Sequence, residues 1–150
     1  MQLSLRDMLG LNNRFHVTIS GIDLGGWGQC KGLEVDFKND HVDQGGVYDY
    51  QKWTPGGLNY SPITLRRAVN PADSAKVQQW LSSMVNSWVH SAKVPDGGTA
   101  VITLFHSDGT PVMTWSLRSV YPSKWSGPEL DASTAGIAME TLQIVHEGFL

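Results

Sequence analysis

The sequence predicts a mainly β (α+β) domain with one flanking α-helix and an extended β-hairpin arm. Three observations lead there. Several segments alternate apolar and polar residues with a period of two, most cleanly from Arg14 to Ser20. A single segment, Asn70 to Val89, carries the 3.6-residue stripe of an amphipathic helix. No internal repeat, low-complexity tract or linker divides the 150 residues. One domain over 1–150 is therefore expected, with an N-terminal arm at 1–13, the hairpin arm at 38–57 and the helix at 70–91.

Taken in order, Met1 to Leu11 is weakly amphipathic through Leu3, Met8, Leu9 and Leu11, a terminus that either frays or docks on a neighbour. The first strand puts Phe15, Val17 and Ile19 on one face and His16, Thr18 and Ser20 on the other. Gly21, Gly25, Gly26 and Gly28 read as a turn, and Cys30 to Phe37 as a second strand with Leu33, Val35 and Phe37 inward. From Lys38 to Gly57 the chain is polar. Gly45-Gly46 and Gly56-Gly57 are turn candidates there, and Val47, Tyr48, Tyr50 and Trp53 lie between them. An arm with so little core of its own needs another surface for its aromatics. Tyr60 to Arg67 is read as a further strand, with Ile63 and Leu65 inward.

The helix opens on Asn70 as N-cap, Pro71 at the first helical position and Asp73 against the positive dipole end. Its stripe is Val77, Trp80, Leu81, Met84, Val85, Trp88 and Val89. The opposite face, Gln78, Gln79, Ser82, Ser83, Asn86 and Ser87, has no charge where a solvated face normally shows Glu and Lys. Pro95 and Gly97-Gly98 end the element. Thr99 to His106 and Pro111 to Leu117 form a hairpin around Ser107-Asp108-Gly109. Arg118 to Trp125 reads as another strand, with Pro122 marking an edge or bulge, and Gly136 to His146 as the last.

Composition separates function classes. Apolar residues make up 41%, enough for a globular core, while charged residues reach only 17% and there are six tryptophans. Few charges and many aromatics are the bias of surfaces that become covered; an unusually aromatic core is the alternative reading. The net charge is −3 and Arg66-Arg67 is the only adjacent basic pair, which does not favour nucleic-acid phosphate. A single cysteine, Cys30, leaves no internal disulfide and no Cys-based zinc site. Arg6 and Asp7 interrupt any signal-peptide core, and no apolar run reaches the length of a membrane span. Synthesis in the cytoplasm without a signal peptide and without stable membrane anchoring is the expectation.

Enzyme signatures are not found. There is no P-loop, no dinucleotide fingerprint after Gly25-Gly26-Trp27-Gly28, and no nucleophile elbow. Of His16, His41, His90, His106 and His146, only His106 and His146 have nearby carboxylates, Asp108 and Glu147, and neither has helical metal-ligand spacing. Cys30 reads as a buried inert thiol, with a nucleophile served by a distant histidine as the alternative. No catalytic, metal or cofactor residue is assigned.

The most specific passage is Tyr121 to Phe149. Tyr121-Pro122 and Lys124-Trp125 lead into Gly127-Pro128-Glu129-Leu130, then a strand ending Glu140-Thr141-Leu142-Gln143-Ile144-Val145-His146-Glu147-Gly148. It closely resembles the tail tube (inner tube) protein family of contractile phages and phage-tail-like extracellular contractile injection systems. Phe15 to Ile22, Lys31-Gly32-Leu33-Glu34, the Gly45-Gly46 turn, Ile63 to Arg67 and the Trp80 helix fit the same pattern, so the resemblance covers Arg14 to Leu150. Two stretches depart from it: Val42 to Tyr50 is less charged than the usual family loop, and Pro55-Gly56-Gly57-Leu58-Asn59 replaces a basic stretch.

The resemblance implies two packed antiparallel β-sheets forming a sandwich or split barrel. It further implies hexameric rings of the chain stacked into a tube, with a lumen for effector cargo or DNA, driven through a target envelope by sheath contraction. Partners would be other copies, the sheath protein, and baseplate, tube-initiator and cap proteins. Asp43, Gln44, Gly45, Gly46, Val47, Tyr48, Tyr50 and Trp53 are then expected at the inter-ring contact, and Gln78, Gln79, Ser82, Ser83 and Asn86 on a sheath-facing helix surface. A baseplate tube initiator or a type VI secretion tube protein is the related alternative. A small β-barrel enzyme or ligand-binding protein is the alternative of another class.

Overall fold

The structure is a computed structural model and describes residues 14–42, 45–46, 50, 52–91, 97–128 and 136–150. The elements are β1 (Phe15–Ile19), β2 (Ile22–Trp27), β3 (Gln29–Lys31), β4 (Val35–Val42), β5 (Lys52–Tyr60) and β6 (Ile63–Ala68). They are followed by α1 (Pro71–Val85) with a π-helical continuation (Asn86–His90), then β7 (Gly98–Phe105), β8 (Pro111–Ser126) and β9 (Met139–Val145).

Seven strands hydrogen-bond in the order β2-β1-β7-β8-β9-β6-β3, all antiparallel, while β4 and β5 pair, among the described residues, only with each other. Strand β8 belongs to both halves of the larger sheet: Ala100 to Phe105 face Leu117 to Pro111 on one side, and Tyr121 to Ser126 face Val145 to Thr141 on the other. The register shift between Pro122 and Lys124 is where the half-sheets part company, a suitable place for a residue without an amide donor. The two end strands, β2 and β3, are separated in sequence by Gly28 alone, whose N–H donates to the Arg66 carbonyl at 3.1 Å. The result is two antiparallel half-sheets joined at both sides without closing into a barrel.

The sheet encloses one core. Val17, Ile19, Leu24, Trp27, Ala100, Ile102, Leu117 and Val120 come from one half, and Ile63, Leu65, Leu142 and Ile144 from the other. Helix α1 adds Val77, Trp80 and Met84. These residues follow the predicted period-two and 3.6-residue patterns, which is why apolar burial selects this arrangement.

Several boundaries differ from the sequence reading. The glycine-rich stretch is not a turn but strand β2, paired with β1. The actual turn is Ser20-Gly21, both with positive φ (51° and 79°), the conformation that a two-residue hairpin loop requires. Cys30 to Phe37 is not one strand. Gly32 breaks it at φ +97°, where a side chain would collide with the Pro62 carbonyl, so the chain leaves the sheet and enters the arm. Tyr60 ends the arm strand β5 instead of opening β6, and Gly56-Gly57 lies inside β5 at an irregularity in its pairing with β4. Pro111 to Leu117 and Arg118 to Trp125 are parts of one sixteen-residue strand.

The helix starts as predicted, with the Asn70 side chain accepting the Ala72 N–H at 3.1 Å. Its end is different. Val85, Trp88 and Val89 are exposed, so the stripe is buried only as far as Met84, with Leu81 packed against the core. Ser83, Ser87 and Ser91 each donate their hydroxyl to a backbone carbonyl three or four residues back, those of Trp80, Ser83 and Ser87. Such back-bonding competes with the i→i−4 ladder and accompanies its widening into the π-helical turn, which carries Trp88 away from the stripe to stack on Tyr121.

Candidate assembly surfaces

The arm is a two-stranded ribbon with both faces open. All of β4 after Val35 and all of β5 before Tyr60 are exposed. Phe37 opposes Leu58, and His41 opposes Trp53 and stacks on it at 4.5 Å and 17°. Phe37, Leu58, Trp53 and Tyr50 are 59%, 52%, 60% and 61% exposed. A two-stranded ribbon is marginal in water by itself, and this one leaves large apolar side chains in solvent. Of the predicted inter-ring residues, Gly45 and Gly46 form the exposed turn at the tip, and Tyr50 and Trp53 are exposed on the arm. Asp43, Gln44, Val47 and Tyr48 lie outside the described residues, as does the N-terminal arm at 1–13.

At the arm's root, Tyr60 meets the C-terminal segment. Its ring lies 5.4 Å from His146 and 5.2 Å from Phe149. His146 Nδ1 accepts the Gly148 N–H at 3.1 Å, and Arg118 donates to the Leu150 carbonyl at 2.6 Å. The described residues on the polar helix face, Gln78, Gln79, Ser82, Ser83 and Asn86, are all exposed, as the sequence requires of a face meant for water or for a partner.

A charged cluster that periodicity did not single out ties the halves together. Arg67 on β6 and Glu140 on β9, each 1% exposed, pair at 2.5 Å. The guanidinium also donates to the Leu24 carbonyl of β2 and lies 3.9 Å above the Trp27 ring. Ser74 of α1 and Trp125 of β8 donate to the Glu140 carboxylate at 2.8 and 3.3 Å. One ion pair thus touches β2, β6, β8, β9 and α1. The signal available in sequence was a charge at an inward position of each of two strands, Arg67 and Glu140.

Little in the geometry points to covalent chemistry. Burial pushes the Cys30 thiol up to about 11, so it remains protonated at neutral pH. His16 pairs with Asp23 at 2.8 Å on the outer sheet face, and Asp108 is held by Thr110 in the β7–β8 turn, which lowers its pKa. Among the described residues no group of three or more His, Cys, Asp or Glu side chains is placed to hold a metal, and no helix is long and apolar enough to cross a membrane.

A folded-over antiparallel sheet that keeps its core closed while extending an unpartnered ribbon defines a class: a protomer built to join other chains. The chain belongs to the T4-like virus tail tube protein gp19 family, whose family model matches residues 11–150. No curated protein sequence is significantly similar to it. Its fold is similar to that of a chain in the sheath–tube complex of an extracellular contractile injection system (PVC) in the extended state, with a TM-score of 0.69 and 22% identity over 91% of this chain and 86% of that one. It is also similar to a chain of the anti-feeding prophage (AFP) cap, with a TM-score of 0.67 and 21% identity over 88% and 83%. A chain in the AFP baseplate matches with a TM-score of 0.66 and 21% identity over 91% and 90%.

Proposed function

We propose that the protein is the inner-tube subunit of a contractile injection machine, six copies closing into a ring and rings stacking into a hollow tube. The observation that carries this reading is the family match over residues 11–150 on a fold whose ribbon finds no partner strand among the described residues. A wholly exposed ribbon with Phe37, Trp53 and Leu58 in solvent is stable in use only when another surface covers it. Head-to-tail contacts close into a ring where the rotation closes. The arm then reaches the adjacent ring, and the Gln78, Gln79, Ser82, Ser83 and Asn86 surface faces the sheath. Baseplate and cap proteins terminate the stack, and cargo travels in the lumen of a particle released from the cell. The role is mechanical and non-enzymatic, needing no cofactor.

Electron microscopy of the purified protein, alone and with baseplate components, is expected to show rings or tubes. Strictly monomeric protein under both conditions would overturn the reading. Deleting Gly45 to Tyr50 should leave the far-UV spectrum unchanged and abolish stacking; tubes of normal length from that variant would place the contact elsewhere.

A further inference from the structure

The arm joins the body through two short connectors. Residues 32–34 lead into it and Ser61-Pro62 lead out, and neither β4 nor β5 pairs with a strand of the larger sheet among the described residues. The connectors lie against each other. Gly32, at φ +97°, leaves no room for a side chain beside the Pro62 carbonyl, and the Ser61 hydroxyl donates to the Glu34 carboxylate at 2.8 Å. A ribbon held at one end in this way pivots on its connectors unless a contact beyond them fixes it.

The contact that fixes it is the cluster of Tyr60, His146 and Phe149. Tyr60 is the last residue of β5, with its ring 5.4 Å from His146 and 5.2 Å from Phe149. Residues 146–150 are themselves pinned to β8. The Glu147 N–H donates to the Arg118 carbonyl at 2.8 Å, and the Arg118 N–H to the Gly148 carbonyl at 2.9 Å. The Arg118 guanidinium donates to the Leu150 carbonyl at 2.6 Å. Gly148 stands at φ +139°, and a side chain there would run into the Arg118 guanidinium and the Tyr60 ring.

One neutral group closes this turn: His146 Nδ1 accepts the Gly148 N–H at 3.1 Å. A protonated imidazole has a donor on each nitrogen and cannot accept that bond. Burial disfavours the imidazolium most, the Ser61 backbone favours it, and Arg118 of β8 repels it. The nearby Glu34 carboxylate is engaged by Ser61, Glu147 is exposed, and the remaining neighbours, Tyr60 and Phe149, are neutral.

We infer that residues 146–150 form a pH-sensitive clasp on the root of the arm. Neutral His146 holds the Gly148 turn closed against Tyr60 and fixes the arm in one pose; protonated His146 opens the turn and lets the arm pivot at Gly32 and Pro62. The clasp is complete within one chain, so it does not depend on the tube reading. It also gives a role to the run His146-Glu147-Gly148, which tube formation leaves without one. The sign follows from the acceptor: the clasp is closed at neutral pH and opens in acid, below the ordinary imidazole value of about 6.5.

Two measurements on dilute, unassembled protein test it. Distances between spin labels on the arm (Lys52→Cys) and on α1 (Gln79→Cys), in a Cys30→Ala background, should be narrowly distributed at pH 8 and broad at pH 5. Over the same interval, and after correction for intrinsic rates, the Glu147 and Gly148 amides should lose protection from hydrogen exchange several-fold while the β7 and β9 amides keep theirs. His146→Asn places a neutral oxygen where it can accept the N–H two residues on at any pH, so both readouts should stay at their pH 8 values. Phe149→Ala should broaden the distances at both pH values, with its melting temperature checking that it folds. A wild-type distribution that is equally narrow at pH 5, or already broad at pH 8, overturns the clasp. So does a His146→Asn protein that broadens in acid as wild type does. Protection lost together across β7 and β9 would make the transition global unfolding and overturn it as well.

Discussion

His146 sits where the C-terminal segment crosses the root of the arm, and its ring is held neutral by its surroundings. Nδ1 is occupied as an acceptor by the Gly148 N–H, so the neutral ring carries its proton on Nε2, a buried atom that makes no well-formed hydrogen bond. Burial lowers the pKa below the ordinary imidazole value; the Ser61 backbone opposes that fall and the Arg118 guanidinium adds to it. The other groups facing the ring are Tyr60 and Phe149. With the folded-state pKa depressed, the unfolded chain binds the proton first as pH falls through about 6.5, so stability is lost below that pH and retained above it. Denaturant melts of wild type and His146→Asn between pH 5 and 8 should show a smaller loss toward acid in the variant. Parallel profiles would mean that His146 titrates alike in both states. Arg67 and Glu140 offer the contrast of a paired charge: each is buried, and removing Arg67 leaves Glu140 uncompensated in the interior, whereas removing Glu140 leaves Arg67 only the Asp73 carboxylate 4.0 Å away.

At the scale of elements, helix α1 begins where its sequence says it should and ends where tertiary packing decides. The cap is local chemistry: Asn70, Pro71 and Asp73 act on the first turn whatever lies beyond it. Asn70→Ala should therefore cost about 1 kcal/mol of stability with little effect on assembly, measurable by denaturant titration; a loss several times larger would give Asn70 a tertiary role. The far end was not legible, because the stripe Val85, Trp88, Val89 is helical in spacing and yet exposed after the hydroxyl back-bonds of Ser83 and Ser87. Strand β2 escaped notice for a related reason. Its glycines look like punctuation, yet Gly25 lies within the strand at φ +81°, a conformation that favours glycine, with the Asp73 carboxylate where a side chain would go. The alternating strands β1, β7 and the inner part of β9 were plain, since each shows the core one face only. The arm could be recognised as a ribbon lacking a core, but the grouping of Lys31, Arg66 and Lys124 on the β3-β6-β9-β8 face could not. Lys31, Arg66 and Lys124 become neighbours only through strand pairing.

Over the whole molecule, the two half-sheets share one core cluster, the strand β8 and the Arg67–Glu140 pair. Neither half can keep its apolar face dry after the other is lost, so unfolding should be a single cooperative transition. Far-UV circular dichroism and tryptophan fluorescence should give coincident denaturant midpoints in protein kept below its polymerisation concentration. Separated midpoints would mean that the halves melt independently.

Strand β8 also governs fidelity. Moving a strand by one residue exchanges its two faces, and this strand sets the pairing of β7 on one flank and β9 on the other. A slip would therefore present the wrong face in both halves together. A chain with that error loses the core of both halves at once and shows up as grossly misfolded before it can be built into a larger structure.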